Sequence, residues 1–400
     1  MSSIKPTIGS ERFEVVDALR GFALFGILAA NLYSFMGYNT YSPEEIINLA
    51  FGDRAVLFLI DCFVEGKFYG IFSILFGFGF ALQAERFQQA DANFKRFWRR
   101  RMLILIGIGL LHMFFVWNGD ILTLYGFLGL FLPLFLSRSD RSLLWWIGVL
   151  LTIPVLIHLL LYFTPDASFW GSMSRLSTDL KAQWGYGEKS LLEMRTSDLA
   201  IEVFSINVLK AIPRPMSYLI SGRYFQVLGL FLIGLLLART WIPQIRKPEI
   251  TTPSAAIWLG VIGLVCSFGY AVTKWIAGSA YSVDGFGLFQ GFIYHLGSSS
   301  LALGIAMLIV KLWASGRMKA VFGNLALLGR MALTNYILQN VTAIFLFFGY
   351  GLALMRKLPF VYLPLFALGI LTLQWFFSRA WLSRFRQGPL EYLWRKLSYR

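Results

Sequence analysis

The residues best able to do chemistry in this chain interrupt stretches that otherwise read as embedded in hydrocarbon. Leu59-Ile60-Asp61-Cys62-Phe63-Val64-Glu65-Gly66-Lys67-Phe68 sets two carboxylates four residues apart on one helix face, with a lysine able to neutralise part of their charge. Gly109-Leu110-Leu111-His112-Met113-Phe114-Phe115-Val116-Trp117-Asn118-Gly119-Asp120 then places a histidine near the end of an apolar run and a carboxylate in the tight turn that follows. An ionisable group in hydrocarbon costs a few kcal/mol, so each of these needs a partner or a task. An imidazole titrates in the range a general base requires, and Asp61, Glu65 or Asp120 would orient it. The alternative for His112 is a hydrogen bond that only packs two helices together.

Other polar groups follow the same logic. His295 stands in Tyr294-His295-Leu296-Gly297-Ser298-Ser299-Ser300, where small residues permit close helix approach. In Gly329-Arg330-Met331-Ala332-Leu333-Thr334-Asn335-Tyr336-Ile337-Leu338-Gln339-Asn340, Arg330, Thr334 and Asn335 cannot all face lipid. They make either inter-helix hydrogen bonds or an inward polar seam. Lys67, Asn335, Asn340 and His295 are the candidates for holding a substrate. Asp17 and Arg20 are spaced to pair across one helical turn, although snorkelling to an interface also explains Arg20. His158 follows a uniformly apolar stretch and reads as a packing residue.

The elements that must position these groups are membrane helices. Hydrophobic residues make up 57% of the 400 residues and charged ones only 14%, too little polar surface to coat a water-soluble domain. Apolar segments long enough to span occur near 22–37, 56–83, 101–117, 121–137, 143–163, 224–241, 255–276, 286–312, 332–350 and 360–380. The expected fold is therefore an all-α polytopic bundle of about ten transmembrane helices, one transmembrane domain over 1–400. The apolar run from Phe22 to Met36 is too continuous for a cleaved leader and reads as a retained first helix.

The net charge of +15 would suit a nucleic-acid partner, but the basic residues gather at the ends of apolar segments. By the positive-inside rule Lys95, Arg96, Arg99, Arg100 and Arg101 fix one connector in the cytoplasm. Both termini then fall on the cytoplasmic side, with only Arg356 and Lys357 on the wrong one. The long connector 164–223 faces outward, and Leu199, Val203, Ile206 and Leu209 recur there at helical spacing, as in an interfacial or cavity-covering helix.

Several chemistries are not indicated. Cys62 and Cys266 sit inside apolar runs and propose neither a disulfide nor a metal site. Phe76-Gly77-Phe78-Gly79-Phe80 lacks the lysine and hydroxyl of a phosphate loop and reads as a close helix contact.

Five ordered motifs carry a resemblance over nearly the whole chain. They are Asp17-Ala18-Leu19-Arg20-Gly21-Phe22-Ala23-Leu24; Glu65-Gly66-Lys67-Phe68 leading to Phe72-Ser73-Ile74-Leu75-Phe76-Gly77; His112 with Trp117-Asn118-Gly119-Asp120; Gly329 to Tyr336; and Gly388-Pro389-Leu390-Glu391-Tyr392-Leu393-Trp394-Arg395. On these the chain resembles the YeiB-like bacterial membrane proteins, domain-of-unknown-function family 418. That family is grouped more loosely with transmembrane acyltransferases similar to the acyltransferase-3 proteins and heparan glucosaminide acetyltransferase. The resemblance implies a bacterial inner-membrane protein that moves an acyl group from cytosolic acyl-CoA, as co-substrate, to a sugar or lipid-linked acceptor outside. Where acyltransferase-3 proteins carry a histidine further along the first helix, this chain has Asn31 and Tyr33, and residues 38–55 contain none. His112 would take that role, with Arg20, Arg99, Arg100 and Arg330 holding the phosphates of acyl-CoA. A transporter or lipid flippase, or a non-catalytic scaffold or sensor, would use the same intramembrane charges differently. Membrane lipids are the expected partners, with neither a metal nor nucleic acid.

Overall fold

The computed structural model describes residues 13–89, 93–164, 168–245, 254–279 and 284–399, and all regular structure among them is helical. In chain order the helices are α1 (Glu14–Phe35), α2 (Pro43–Ile47), α3 (Phe51–Phe63), α4 (Lys67–Gln89), α5 (Phe94–Phe115), α6 (Leu122–Gly129), α7 (Asp140–Phe163), α8 (Ser168–Gln183) and α9 (Leu191–Thr196). They continue as α10 (Ala200–Ala211), α11 (Arg214–Ile220), α12 (Arg223–Ile245), α13 (Ser254–Ala277), α14 (Gly285–Ala314), α15 (Lys319–Arg330), α16 (Ala332–Phe347), α17 (Leu363–Leu382) and α18 (Pro389–Ser398). Arg12, Arg246, Lys247 and Arg400, part of the charge pattern, lie outside the described residues.

This is a multi-pass membrane bundle, but the count of ten is not reached among the described residues. Helices α1, α7, α12, α13, α14 and α17 are long and apolar enough to cross a bilayer, and the pair α15/α16, bent by 80°, makes a seventh. The shortfall has physical causes. Segment 56–83 is not one helix: Gly66 takes φ +82 and ends α3, so α4 starts afresh at Lys67. Segment 121–137 shrinks to the eight residues of α6 and a short turn of 3-10 helix around Pro133. Helix α5 begins with Lys95, Arg96, Arg99, Arg100 and Arg101, so its first turns are polar.

Burial separates centre from rim. In the most apolar stretches of α1 and α14, 72% of residues are buried, against 22% in α7 and 28% in α17, whose outer faces expose Trp145, Leu365, Leu373 and Phe376 as a lipid-facing surface does. The central crossings are built on glycine, because helices in lipid associate by close packing rather than by hydrophobic burial. A Cβ on Gly21 would stand 1.9 Å from the Leu325 carbonyl oxygen, and one on Gly329 1.8 Å from that of Asp17, so α1 and α15 touch backbone to backbone. Helices α4 and α12 repeat the arrangement through Gly77 against Phe231 and Gly234 against Ile74. The expected close contact at the glycine run is thus present at Gly77.

Connector 164–223 contains α8 to α11. Val203, Ile206 and Leu209 are buried, the last two packing on Met194, while Leu199 precedes α10 and is 54% exposed. Three of the four residues expected to form one apolar face therefore cover the bundle rather than lie in lipid. Arg356, the exception to the charge rule, donates to the Thr40 carbonyl at 3.2 Å and to the Glu45 carboxylate at 2.6 Å, tying two loops together.

At the opposite end α18 closes the bend between α15 and α16. Glu391 Oε1 accepts the backbone N–H of Leu333 (2.7 Å) and of Thr334 (3.0 Å), and Oε2 accepts the Thr334 hydroxyl at 2.6 Å. A carboxylate is supplied in trans to a helix start that has no side-chain cap of its own. Burial at this joint pushes the Glu391 carboxyl above its ordinary range. Trp394 holds the same helix to α5, its indole N–H donating to the Arg101 carbonyl at 2.9 Å.

Candidate functional site

Two of the polar clusters inside the bundle form where a helix is interrupted. The first surrounds His112, 2% exposed in the last turn of α5. Its Nδ1 lies 3.0 Å from Asp120 Oδ1, across the turn that carries Asn118 and Gly119. Asp120 Oδ2 accepts the Thr123 N–H at 2.7 Å, so both carboxylate oxygens are engaged, and the Tyr218 hydroxyl donates to the Asp120 backbone carbonyl. An ionised carboxylate only accepts, so Nδ1 carries the imidazole proton and Nε2 presents its lone pair. Asn340 Nδ2 of α16 donates to that lone pair at 3.0 Å, and Asn340 Oδ1 accepts Asn31 Nδ2 of α1 at 3.1 Å. Asn207 of α10 completes the end of α5, bonding the carbonyls of Met113 (2.9 Å) and Phe114 (2.8 Å) and accepting the Asn118 N–H (2.6 Å). The covering connector thus takes part in building the dyad.

The second cluster sits at the α3/α4 break. Lys274 Nζ of α13 lies 2.6 Å from Asp61 Oδ1, 3.5 Å from Glu65 Oε2 and 3.2 Å from the Tyr33 hydroxyl. Lys67 Nζ donates to the Asp61 backbone carbonyl at 2.6 Å. Lys274 pairs the carboxylates directly, while Lys67, close enough to act on the charge of both, gives its hydrogen bond to a carbonyl freed where α3 ends.

Of the three carboxylates that the sequence left open as orienting groups for His112, Asp120 makes the contact. Asp61 and Glu65 point elsewhere. The two clusters meet α1 at Asn31 and Tyr33, two residues apart and hence about 200° apart around the helix. They occupy opposite faces of α1 and do not form the single pocket that their similar depth suggested.

The remaining candidates are placed as follows. Asn335 donates to the Leu328 carbonyl (3.1 Å) and Ser378 Oγ (3.0 Å), stitching the α15/α16 bend to α17 instead of lining a cavity. His295 contacts Gln226 of α12, with Nδ1 to Oε1 3.2 Å, and its ring centroid is 5.2 Å from that of His158. Arg20 pairs with Asp17 at 3.0 Å, and Arg330 donates to the Arg386 carbonyl at 3.3 Å. Both arginines flank the Gly21–Gly329 crossing, while Arg99 and Arg100 are exposed on the first turns of α5. Among the described residues no group of three or more His, Cys, Asp or Glu side chains is arranged to hold a metal ion.

Lys274 and Gln226 were missed in the sequence, and Asn31 stood out there only as the residue where acyltransferase-3 proteins carry a histidine. The first was within reach, since a lysine near the end of apolar segment 255–276 falls under the rule that singled out Asp61. The two amides carry no charge and give no such signal.

Residues 244–400 match the model of a family described as a protein of unknown function, DUF418. The chain is 30% identical to the uncharacterized protein YxaH of Bacillus subtilis (strain 168) over 410 residues, covering 100% of this chain and 97% of that protein. The chain belongs to the DUF418 family. Its likeness to the uncharacterized protein YeiB of Escherichia coli (strain K12) is 29% identity, covering 98% of this chain and 97% of YeiB. No solved structure matches this DUF418 protein. Its motifs have visible structural tasks: Gly21 and Gly329 make the central crossing, Glu391 caps α16, and His112 and Asp120 form the dyad.

The second cluster gives a stability prediction. Lys274→Met leaves Asp61 buried without its cation, and breaking a buried pair from one side costs about 3–5 kcal/mol. The double variant Lys274→Met/Asp61→Leu is expected to recover most of that loss. Thermal unfolding of the purified variants checks this, and equal destabilisation in both would show that the pair is not the cause.

Proposed function

We propose that this DUF418 protein is a membrane acyltransferase, moving an acyl group from acyl-CoA to a hydroxyl- or amine-bearing sugar or lipid-linked acceptor. The observation that carries this reading is the buried His112–Asp120 pair, with 3.0 Å between Nδ1 and Oδ1. A carboxylate on Nδ1 fixes the tautomer whose Nε2 is basic and stabilises the imidazolium that forms when Nε2 takes a proton.

In this mechanism the acceptor hydroxyl displaces the Asn340 amide from Nε2. Nε2 removes the hydroxyl proton as the oxygen attacks the thioester carbonyl. The tetrahedral adduct collapses, the carbon–sulfur bond breaks, and the CoA thiolate leaves to be protonated by the imidazolium. Asn340, with Asn31 hydrogen-bonded to it, supplies amide donors for the oxyanion. The basic end of the bundle, with Arg20, Arg99, Arg100 and Arg330, faces the cytoplasm in this proposal and receives the CoA phosphates. Both termini then lie in the cytoplasm of a bacterial cell, and residues 164–223 lie outside its inner membrane.

The protein in detergent should bind acetyl-CoA with release of heat, and Arg20→Ala/Arg330→Ala should weaken the affinity at least tenfold. Titration calorimetry measures both. Absence of binding by the unsubstituted protein removes this reading and favours transport, to which a specific feature also points: the α3/α4 break carries Asp61, Glu65 and Lys67 inside the bundle, as the discontinuous helices of transporters carry their substrate and ion sites.

A further inference from the structure

The bundle holds a third polar cluster that neither the dyad nor the charged break uses. Gln226, 1% exposed on α12, is its centre. Its Oε1 accepts the Tyr69 hydroxyl of α4 at 2.8 Å and faces His295 Nδ1 of α14 at 3.2 Å, while its Nε2 donates to Ser298 Oγ and Ser299 Oγ, each at 3.0 Å. With the amide turned this way, His295 Nδ1 bears the proton and donates, which leaves Nε2 as a lone-pair acceptor. That nitrogen is enclosed in the protein and meets no hydrogen-bond donor, in a residue only 4% exposed. A buried acceptor left without a donor costs free energy, so a ligand or a water that supplies one is strongly favoured there.

The surroundings define what that donor belongs to. Ser299 Oγ accepts from Gln226, which leaves its own hydrogen to give, so the cluster offers one acceptor and one donor close together. None of the hydrogen bonds made by Gln226, His295, Ser298 and Ser299 is to a carboxylate, lysine or arginine, and the cation beside them, Arg223, has its guanidinium over the Tyr69 ring, 4.9 Å from the centroid. A neutral group that both donates and accepts fits this lining, and an alcohol hydroxyl is such a group. At Gly291, one turn before His295, the space a Cβ would take is filled by His158, whose Nδ1 would lie 2.2 Å from it. His158 belongs to peripheral α7 and is only partly buried, so the cluster borders the rim of the bundle.

We propose that His295 Nε2, with Ser299 and Gln226, forms a binding site for a hydroxyl group of a polyol. The polyol is either a free sugar or the glycerol headgroup of a lipid, which share this chemistry. The site stands on its own geometry and does not require acyl transfer.

Three histidines in the whole chain make the test direct. Protein labelled with nitrogen-15 in its histidines is placed in phosphatidylcholine nanodiscs, and the His295 signal is assigned with His112→Gln and His158→Phe. Glucose is titrated in one arm, and phosphatidylglycerol replaces part of the phosphatidylcholine in the other. The expected result is a saturable shift of the His295 Nε2 resonance, to the position of a hydrogen-bonded unprotonated nitrogen, in at least one arm. The arm that responds identifies the source. Ser299→Ala should raise the half-saturating concentration about tenfold, while Ser172→Ala, on α8, leaves it unchanged. A His295 signal that stays put in both arms overturns the proposal, as does one already at the hydrogen-bonded position without either ligand, which would assign the site to a resident water.

Discussion

Gly329→Ala is expected to prevent assembly of the bundle. The new methyl group would stand 1.8 Å from the Asp17 carbonyl oxygen and within 2.8 Å of its carbonyl carbon and of the Gly21 nitrogen, all main-chain atoms of α1. Overpacking at a side chain costs about 1–3 kcal/mol because the neighbour rotates away. Here the neighbour is backbone, and only separation of α1 from α15 relieves the clash. That separation would also move Arg20 from Arg330, and the α15/α16 bend from the carboxylate of Glu391. Expression with a fluorescent tag and size-exclusion chromatography reads the outcome. The expected result is an aggregated or absent peak, and a monodisperse peak with unchanged melting temperature would show that the crossing tolerates a wider spacing. Gly107→Ala, where no atom lies within 4 Å of the added Cβ, is the control.

The second large effect is on chemistry. In Asp120→Asn the new amide can present its NH2 to Nδ1, which favours the tautomer with the proton on Nε2 and removes the base. Loss of the carboxylate from a triad of this kind lowers turnover by about ten-thousandfold, equivalent to roughly 5.4 kcal/mol of transition-state stabilisation. The amide oxygen still accepts the Thr123 N–H, so α6 retains its start. Acyl transfer should collapse while thermal stability changes little. A variant with near wild-type transfer would return Asp120 to a capping role.

The all-helical membrane character was legible because hydrophobicity and charge placement are properties of long stretches, and His112 and Asp120 were legible because a charge in an apolar run is conspicuous. The pairing of these groups was not. The hydropathy pattern puts Asp61, Glu65 and His112 at one expected depth, but depth is one coordinate, and the angular position of Asn31 and Tyr33 on α1 decides that the clusters part. Lys67 was closest in sequence to the carboxylates, yet Lys274, more than two hundred residues away, reaches them across a helix packing that composition does not encode. Breaks were the other blind spot. Hydropathy reads through Val64-Glu65-Gly66 and cannot see that Gly66 takes a left-handed conformation where it packs on Tyr294 and Ser298.

Whether His112 acts as a base or only packs two helices together is decided by replacing its basic nitrogen with an amide. His112→Gln keeps a side chain able to reach Asp120 and Asn340, so the hydrogen-bonded chain across α1, α16, α5 and α6 can persist without a basic nitrogen. Transfer of radiolabelled acetyl from acetyl-CoA into a bacterial lipid and sugar extract is measured for wild type and variant in nanodiscs, alongside melting temperature. The expected rate for His112→Gln is lower by about a hundred- to ten-thousandfold at little-changed stability. A variant that transfers acetyl at the wild-type rate would contradict the role of His112 as a base.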